Sequence, residues 1–149
     1  MSPRRQVGGL LRAARSGLVY LVAETGLRTV GLRRTAAVLG LRLGGAPGTT
    51  PRAAFDTARL TAGELRRLRI DRRVLRLRWV NGTCLRTALV LGHSLRSRDP
   101  QIVLGVRRDD GGHIRAHAWL RIDGTDLDPE GAAWLYREFE QAQTTGGSA

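Results

Sequence analysis

The sequence predicts an α+β fold in which helices come first and a small antiparallel sheet follows. Through most of the first 97 residues, apolar side chains recur at spacings of three and four, which is the period of an amphipathic helix. Between residues 113 and 122 the pattern becomes a strict alternation of apolar and polar side chains, as in a strand with one face in a core. The last helix before this strand begins at Cys84, and we expect it to pack on the sheet.

Composition limits the class of protein. The chain has 149 residues, of which 42% are apolar, and this is enough for one domain with a helical extension. A lone cysteine excludes an intrachain disulfide and indicates a reducing compartment. No segment approaches the ~18 uninterrupted apolar residues of a membrane span, and no secretory signal is recognisable. The sequence therefore predicts a cytoplasmic protein.

Charge is distributed unevenly along the chain. All 25 basic residues are arginine, so no lysine is present to act as a general base or phosphate ligand. Residues 1–79 hold 17 arginines against four acidic residues, whereas residues 80–149 hold eight arginines against nine. Nucleic acid, anionic lipid or an acidic polypeptide would each fit such a basic half, and a set of solvated helical faces would explain it equally well.

The chain divides into two regions at its strongest breaker. Residues 1–50 are expected to form one or two helices over about residues 6–43, followed by the Gly- and Pro-rich run from Gly44 to Pro51. Residues 51–149 begin with a helix predicted from Ala53 to Leu77. This second region holds the residues that suit chemistry.

Turn and cap residues mark the later elements. Thr61, with Glu64 three residues on, predicts a capping box, and Asn81 or Thr83 is expected to cap the helix that begins at Cys84. The predicted order is a helix from Cys84 to about Ser97, a strand Ile102–Val106, a turn Asp109–Gly112, a strand His113–Ile122, a turn at Asp123-Gly124, a strand Thr125–Asp128 and a helix Glu130–Gln143.

A cysteine, then a histidine, then an aspartate follow one another along the chain, and this order suits nucleophilic catalysis. Cys84 is predicted in the first turn of a helix, where the helix dipole stabilises a thiolate and free N–H groups can bind an oxyanion. His117 lies on a following strand, and an aspartate after it would orient its ring. Two observations oppose this interpretation: a lone cysteine is more often a core residue, and His117 shares its strand face with Arg115 and Arg121. No spacing typical of a metal site is present.

The motifs around these residues resemble those of a known family. They are Cys84-Leu85 with Arg86 and Ala88-Leu89, then Gly105-Val106-Arg107, Ala116-His117-Ala118-Trp119 and Asp123-Gly124. In combination they are similar to the transglutaminase-like cysteine peptidases of lasso-peptide biosynthesis, the microcin-processing leader peptidases. The resemblance covers about half of the chain.

The resemblance implies a fold, a reaction and site residues. Residues 51–149 would form a transglutaminase- or papain-like peptidase domain that removes the leader from a ribosomally made precursor, with no cofactor or metal. Cys84 would be the nucleophile and His117 the base. Asp128 would be the third member, because the Asp-Pro dipeptide there resembles the one that follows the histidine strand in such folds. Asp126 is the alternative third member.

The resemblance also implies partner proteins. The family's leader-recognition module is a small winged-helix-like domain with several strands, whereas residues 1–80 are predicted to be helical and arginine-rich. A split system is therefore expected, with a precursor peptide, a separate recognition protein and a downstream ATP-dependent macrolactam synthetase. The basic half would then be a docking surface for the recognition protein or for an acidic leader.

Other functions remain open from the residues alone. A transglutaminase or amidase would use the same three residues, and only the acyl acceptor would differ. A non-enzymatic nucleic-acid-binding protein would explain the arginines, but Tyr20, Phe55 and Trp79 are too widely spaced for a stacking surface, so nucleic acid is not an expected partner. The first helix could also lie on a membrane surface, although ordinary packing explains its apolar stripe as well.

Overall fold

The fold class is α+β, which confirms the prediction. The computed structural model describes residues 3–45, 52–77 and 82–138. The helices are α1 (Pro3–Thr29), α2 (Gly31–Val38), α3 (Ala62–Leu75) and α4 (Cys84–Ser94), with 3₁₀ turns at Thr57–Arg59, Arg96–Arg98 and Ala133–Leu135. The strands are β1 (Arg42–Gly44), β2 (Gln101–Arg108), β3 (Ile114–Ile122), β4 (Thr125–Leu127) and β5 (Arg137–Glu138).

The helix α1 packs on its neighbours through small side chains. It contacts α3 and α4, and its buried residues are Ser16, Val19 and Ala23. The stripe of larger apolar residues that the sequence suggests as its packing face is exposed, at Leu10, Leu11, Leu18 and Leu21. Packing differs from that expectation because short side chains let helices approach closely, and because the Ser16 hydroxyl finds a buried acceptor in Asp71.

The helix α3 has the predicted cap but begins later than predicted. The Thr61 hydroxyl accepts the N–H of Glu64 at 3.2 Å, and the Thr61 N–H donates to the Glu64 carboxylate at 2.8 Å. The stretch from Ala53, predicted as helix, is instead extended beside β4. Its Phe55 N–H donates to the Asp126 carbonyl and the Asp126 N–H donates to the Ala53 carbonyl, both at 2.9 Å. Pairing with a strand outweighs the local helical preference there.

The sheet has five strands and is mixed. Its path runs β1-β2-β3-β4, and β5 pairs with β2 on the edge that β1 also uses. In the antiparallel β2–β3 pair, Gly105 lies opposite His117. The predicted two-residue turn joins β3 to β4, and Asp123 and Gly124 both have positive φ there. The parallel strand β1 was not predicted, because three residues after a helix are too few to show an alternation.

The predicted helix Glu130–Gln143 does not form within the described residues. Up to residue 138, the chain makes a 3₁₀ turn and then β5, whose Glu138 side chain is buried. Pairing of β5 with β2 and of Glu138 with Arg121 replaces helical hydrogen bonds. Positions 139–143 of this predicted helix, positions 46–51 of the predicted breaker run and Asn81 lie outside the described residues.

One core joins the helices to the sheet. The helix α4 contacts α1 and α3 as well as β2 and β3, and its Leu89, Leu91 and the following Leu95 are at most 1% exposed. Core residues come from both sides of position 50, and the division into two domains there stays a prediction. In the ranges that the structure describes, no helix is both long and apolar enough to cross a bilayer.

Candidate catalytic site

Cys84 is the first residue of α4 and is half-buried against the core. The N-cap residue is Thr83, which is extended (φ −62°, ψ 158°) and makes no side-chain cap hydrogen bond. Its hydroxyl instead accepts from Arg86 Nη1 at 3.0 Å. The N–H groups of the first turn of α4 are therefore not satisfied by this side chain. Such groups stabilise a thiolate and can bind an oxyanion.

His117 is held in a buried aromatic setting on β3. Its exposure is 4%, and its ring centre lies 6.0 Å from that of Trp119 and 5.1 Å from that of Tyr136. A Cβ at Gly105, on the neighbouring strand, would lie 2.7 Å from the Trp119 ring and 2.8 Å from the Tyr136 Cβ. Glycine is thus required for both rings to pack beside the imidazole. The ring of His117 is fixed by this packing.

The strand face that carries His117 is buried rather than solvated. From His117 to Ile122, every residue of β3 is buried. Ala118 and Leu120 belong to the main core with α4, whereas Trp119 belongs to a second cluster formed with Ala133 and other residues. Both faces of this part of β3 are therefore covered, which removes the objection that polar alternation raised against a site at His117.

The Cys84 thiol and the His117 imidazole are electrostatically coupled. Interaction with His117 is the largest cause of a lowered pKa of the Cys84 thiol; burial opposes it, and a backbone hydrogen bond from Ala118 adds to it. Burial acts to lower the pKa of His117, but hydrogen bonds with Asp128 and Cys84 outweigh burial and raise this pKa to about 10. Both shifts favour a thiolate–imidazolium pair near neutral pH.

Asp128 lies on the other side of the imidazole. Its Oδ2 is 3.0 Å from His117 Nε2 and accepts the N–H groups of Ala132 and Ala133, each at 2.7 Å. Its Oδ1 accepts the Glu130 N–H at 3.1 Å. Burial acts to raise the pKa of Asp128, but hydrogen bonds, first that of His117, hold the pKa below its ordinary value. A carboxylate fixed in this way orients the ring and leaves Nδ1 for the thiol.

Asp126, the alternative third member, lies in a different network. Its oxygens accept from Arg121 Nε at 2.8 Å, from Arg121 Nη2 at 3.0 Å and from the Arg52 N–H at 2.7 Å. Arg121 also donates to Glu138 at 2.5 and 3.1 Å. Arg121, Asp126 and Glu138 are all buried, so this network ties β3, β4 and β5 together. The structure brings Asp128, and not Asp126, to His117 Nε2.

Glu130 is a further ionisable group at the site that the sequence did not single out. Its Oε2 lies 3.8 Å from His117 Nδ1, and its side chain is 53% exposed. Its negative charge acts to raise the pKa of Cys84, against the larger lowering by His117. No motif or spacing in the sequence marks this position. Within the described part of the chain, no group of three or more His, Cys, Asp or Glu side chains is arranged to hold a metal ion.

Comparison with known families accounts for this arrangement. The family model described as the transglutaminase-like superfamily matches residues 18–143, which is most of the chain. The chain belongs to the transglutaminase-like superfamily. Members of this superfamily are typically cysteine-based enzymes, peptidases and transglutaminases among them. The match begins within α1, so the superfamily region includes helices that precede position 50. Searches of curated proteins and of solved structures found no significant match.

We expect Cys84 to react as a thiolate at neutral pH, because His117 lowers its pKa. The rate of alkylation by iodoacetamide should already be on its plateau below pH ~8.5, the ordinary pKa of a thiol. In His117→Gln the plateau should move up towards that value, with folding checked by circular dichroism. Any reaction that needs the protonated imidazole should slow as the pH rises through about 10, where His117 loses its proton. A native plateau that begins only near pH ~8.5 would contradict the ion pair.

Proposed function

We propose that this chain is a cysteine peptidase that removes the leader from a ribosomally made lasso-peptide precursor. The observation that carries the peptidase assignment is the line of a thiol at a helix N-terminus, an imidazole and a fixed carboxylate, in Cys84, His117 and Asp128. Membership of the transglutaminase-like superfamily supports cysteine chemistry. The lasso-peptide assignment rests on the resemblance of the motifs around Cys84 and His117 to those of the leader peptidases.

In the proposed mechanism, the Cys84 thiolate attacks the carbonyl carbon of the scissile peptide bond. The oxygen becomes an oxyanion, which N–H groups of the first turn of α4 bind. His117 gives its Nδ1 proton to the leaving amine nitrogen as the C–N bond breaks, and a thioester remains. Water then attacks the thioester while His117 takes its proton, and cleavage of the C–S bond releases the acid and restores the thiolate–imidazolium pair. Asp128 holds Nε2 throughout and is the positioning residue.

Two partner proteins belong to the same proposal. A separate leader-recognition protein would present the precursor, as the resemblance of the motifs to those of the leader peptidases implies. An ATP-dependent macrolactam synthetase would then close the ring on the released core peptide. Both assignments rest on the resemblance and are tested with the purified proteins.

The experiment is a mass-spectrometric cleavage assay on a cognate lasso-type precursor. We expect the chain to release an intact leader and an intact core, together heavier than the precursor by one water molecule. Release should depend on the added leader-recognition protein. A cognate precursor that stays uncut with the recognition protein present would contradict the proposal.

A transglutaminase or amidase activity is the second candidate, because the superfamily includes enzymes that transfer the same acyl-thioester to an amine. The same mass spectra separate the two reactions. Hydrolysis adds water to a cut peptide, whereas transfer joins an added amine to the acyl group. An added primary amine that appears in the product would favour transfer over hydrolysis.

A further inference from the structure

A second surface of the chain carries a concentrated positive charge. A cleft of about 590 Å³ lies between α1 and the N-terminal half of α3. Five arginines and no acidic residue line it: Arg12, Arg15, Arg66, Arg67 and Arg96. Six other arginines of the described chain are paired with carboxylates, as in Arg86 with Glu24. The cleft, in contrast, gathers five cations that form no ion pair with a carboxylate of the described residues.

Contacts with a neutral histidine position two of the cleft arginines and leave their positive charges uncompensated. Arg15 Nη2 and Arg96 Nη1 lie 3.3 Å and 3.5 Å from Nε2 of His93. The Nδ1–H of this histidine donates to the Leu39 carbonyl at 2.9 Å, so Nε2 is the acceptor for the guanidinium groups. Burial and the charges of Arg96 and Arg15 lower the pKa of His93, which keeps the ring neutral. No cleft arginine forms an ion pair with a carboxylate in the ranges described.

The acid behind the cleft is buried. Asp71 lies beside Arg12, Arg15 and Arg67, but it is only 3% exposed. One of its oxygens accepts the Ser16 hydroxyl, and burial raises the pKa of its carboxyl group. A buried acid with a raised pKa compensates neighbouring cations less than an exposed carboxylate does. The cleft therefore keeps a net attraction for an external anion.

The helix that begins with Cys84 connects the cleft to the candidate catalytic site. His93, which contacts two of the cleft arginines, is nine residues along α4 from Cys84. At a rise of ~1.5 Å per residue, this separation is about 14 Å. An extended peptide advances ~3.3 Å per residue, so at least about four residues are needed to span it. A bound polypeptide must therefore be at least this long to contact both places.

We propose that this cleft binds an acidic segment of the peptide substrate, at least about four residues away from the bond that Cys84 attacks. This inference rests on the proposed peptidase function. Guanidinium groups pair with carboxylates through two parallel hydrogen bonds. A concave site suits a polypeptide better than a flat bilayer. The cleft lining has no aromatic side chain on which a nucleic-acid base could stack.

Binding is measured on the Cys84→Ala protein by fluorescence anisotropy with a short labelled peptide of alternating glutamate and glycine. Reversal of Arg66 and Arg67 to glutamate should weaken binding roughly tenfold or more at low salt, and added salt should weaken binding to the parent protein. The matched control reverses Arg72 and Arg73, which are exposed on the same helix outside the cleft. It makes the same change in net charge and should alter binding by no more than about twofold.

Equal loss in both double variants would overturn the proposal, because general charge attraction would then explain binding. Tighter binding of a single-stranded oligonucleotide or of phosphatidylglycerol vesicles than of the acidic peptide would also overturn it. A peptide with glutamine in place of glutamate should not bind. In the cleavage assay, a precursor whose acidic residues are replaced by glutamine should show a raised KM with kcat little changed. If the acidic peptide binds specifically but no precursor is cleaved, the peptidase proposal is wrong. The assignment of the cleft as a binding site for acidic peptides would still stand.

Discussion

Replacing Cys84 with alanine should abolish peptide cleavage, with a fall in kcat/KM on the order of 10⁴-fold or more. No thiolate then exists at the start of α4, and no thioester can form. The stability of the fold should change little, because Cys84 is only half-buried at the edge of the core. The measurement is the rate of leader release by mass spectrometry, with thermal unfolding followed by circular dichroism on the same preparation.

His117→Ala should have an effect of the same order, and the double variant with Cys84→Ala should be no slower than either single variant. The residues of a nucleophile–base pair act as one unit, so their losses are not additive. His113→Ala is the matched control, since this histidine is 77% exposed at the hairpin before β3 and pairs with Asp109. It should cleave at the native rate. If the Cys84→Ala protein still cleaves the precursor, Cys84 is not the nucleophile and has only a structural role.

The secondary-structure elements around the candidate site that the sequence predicts correctly are those with local signals. The helix that starts at Cys84 is marked by Thr83 at its N-cap position, although this side chain makes no cap hydrogen bond, and the hairpin after β3 is marked by Asp123-Gly124. Each signal acts within a few residues, so chain topology does not alter it. The strand that carries His117 is marked by its alternation. Together these features locate the thiol and the imidazole.

The parts that the sequence leaves open depend on which distant groups meet. Asp126 and Asp128 are two residues apart, so a continued strand would place them on one face. The strand β4 ends at Leu127, and the backbone beyond it folds back so that three N–H groups reach the Asp128 carboxylate. Asp126 faces Arg121, whose burial depends on β5. Neither contact leaves a local signal.

Substitutions at these two aspartates should therefore affect different properties: catalytic activity at Asp128 and stability at Asp126. Asp128→Ala should lower kcat/KM on the order of 10²–10⁴-fold, because His117 loses the partner that fixes its ring. The alkaline limb of the pH profile should also move down from about 10, since the hydrogen bond and charge of Asp128 raise the pKa of His117. Asp128→Asn should recover part of the activity, because its amide oxygen can still accept the Nε2 proton. If Asp128→Ala acted only through lost packing, the alkaline limb of its pH profile would not move. Asp128→Asn would then recover no activity.

Asp126→Asn should damage the fold and spare the chemistry. It removes one of two carboxylates from Arg121, whose side chain is 8% exposed, and breaking a buried ion pair costs about 3 kcal/mol. In a chain of this size, that loss lowers the unfolding midpoint by about 10 °C. Thermal unfolding and cleavage measured well below the midpoint separate the two effects: folded Asp126→Asn should cleave near the native rate. A folded Asp126→Asn protein without activity, beside an active Asp128→Ala protein, would exchange the roles of the two carboxylates.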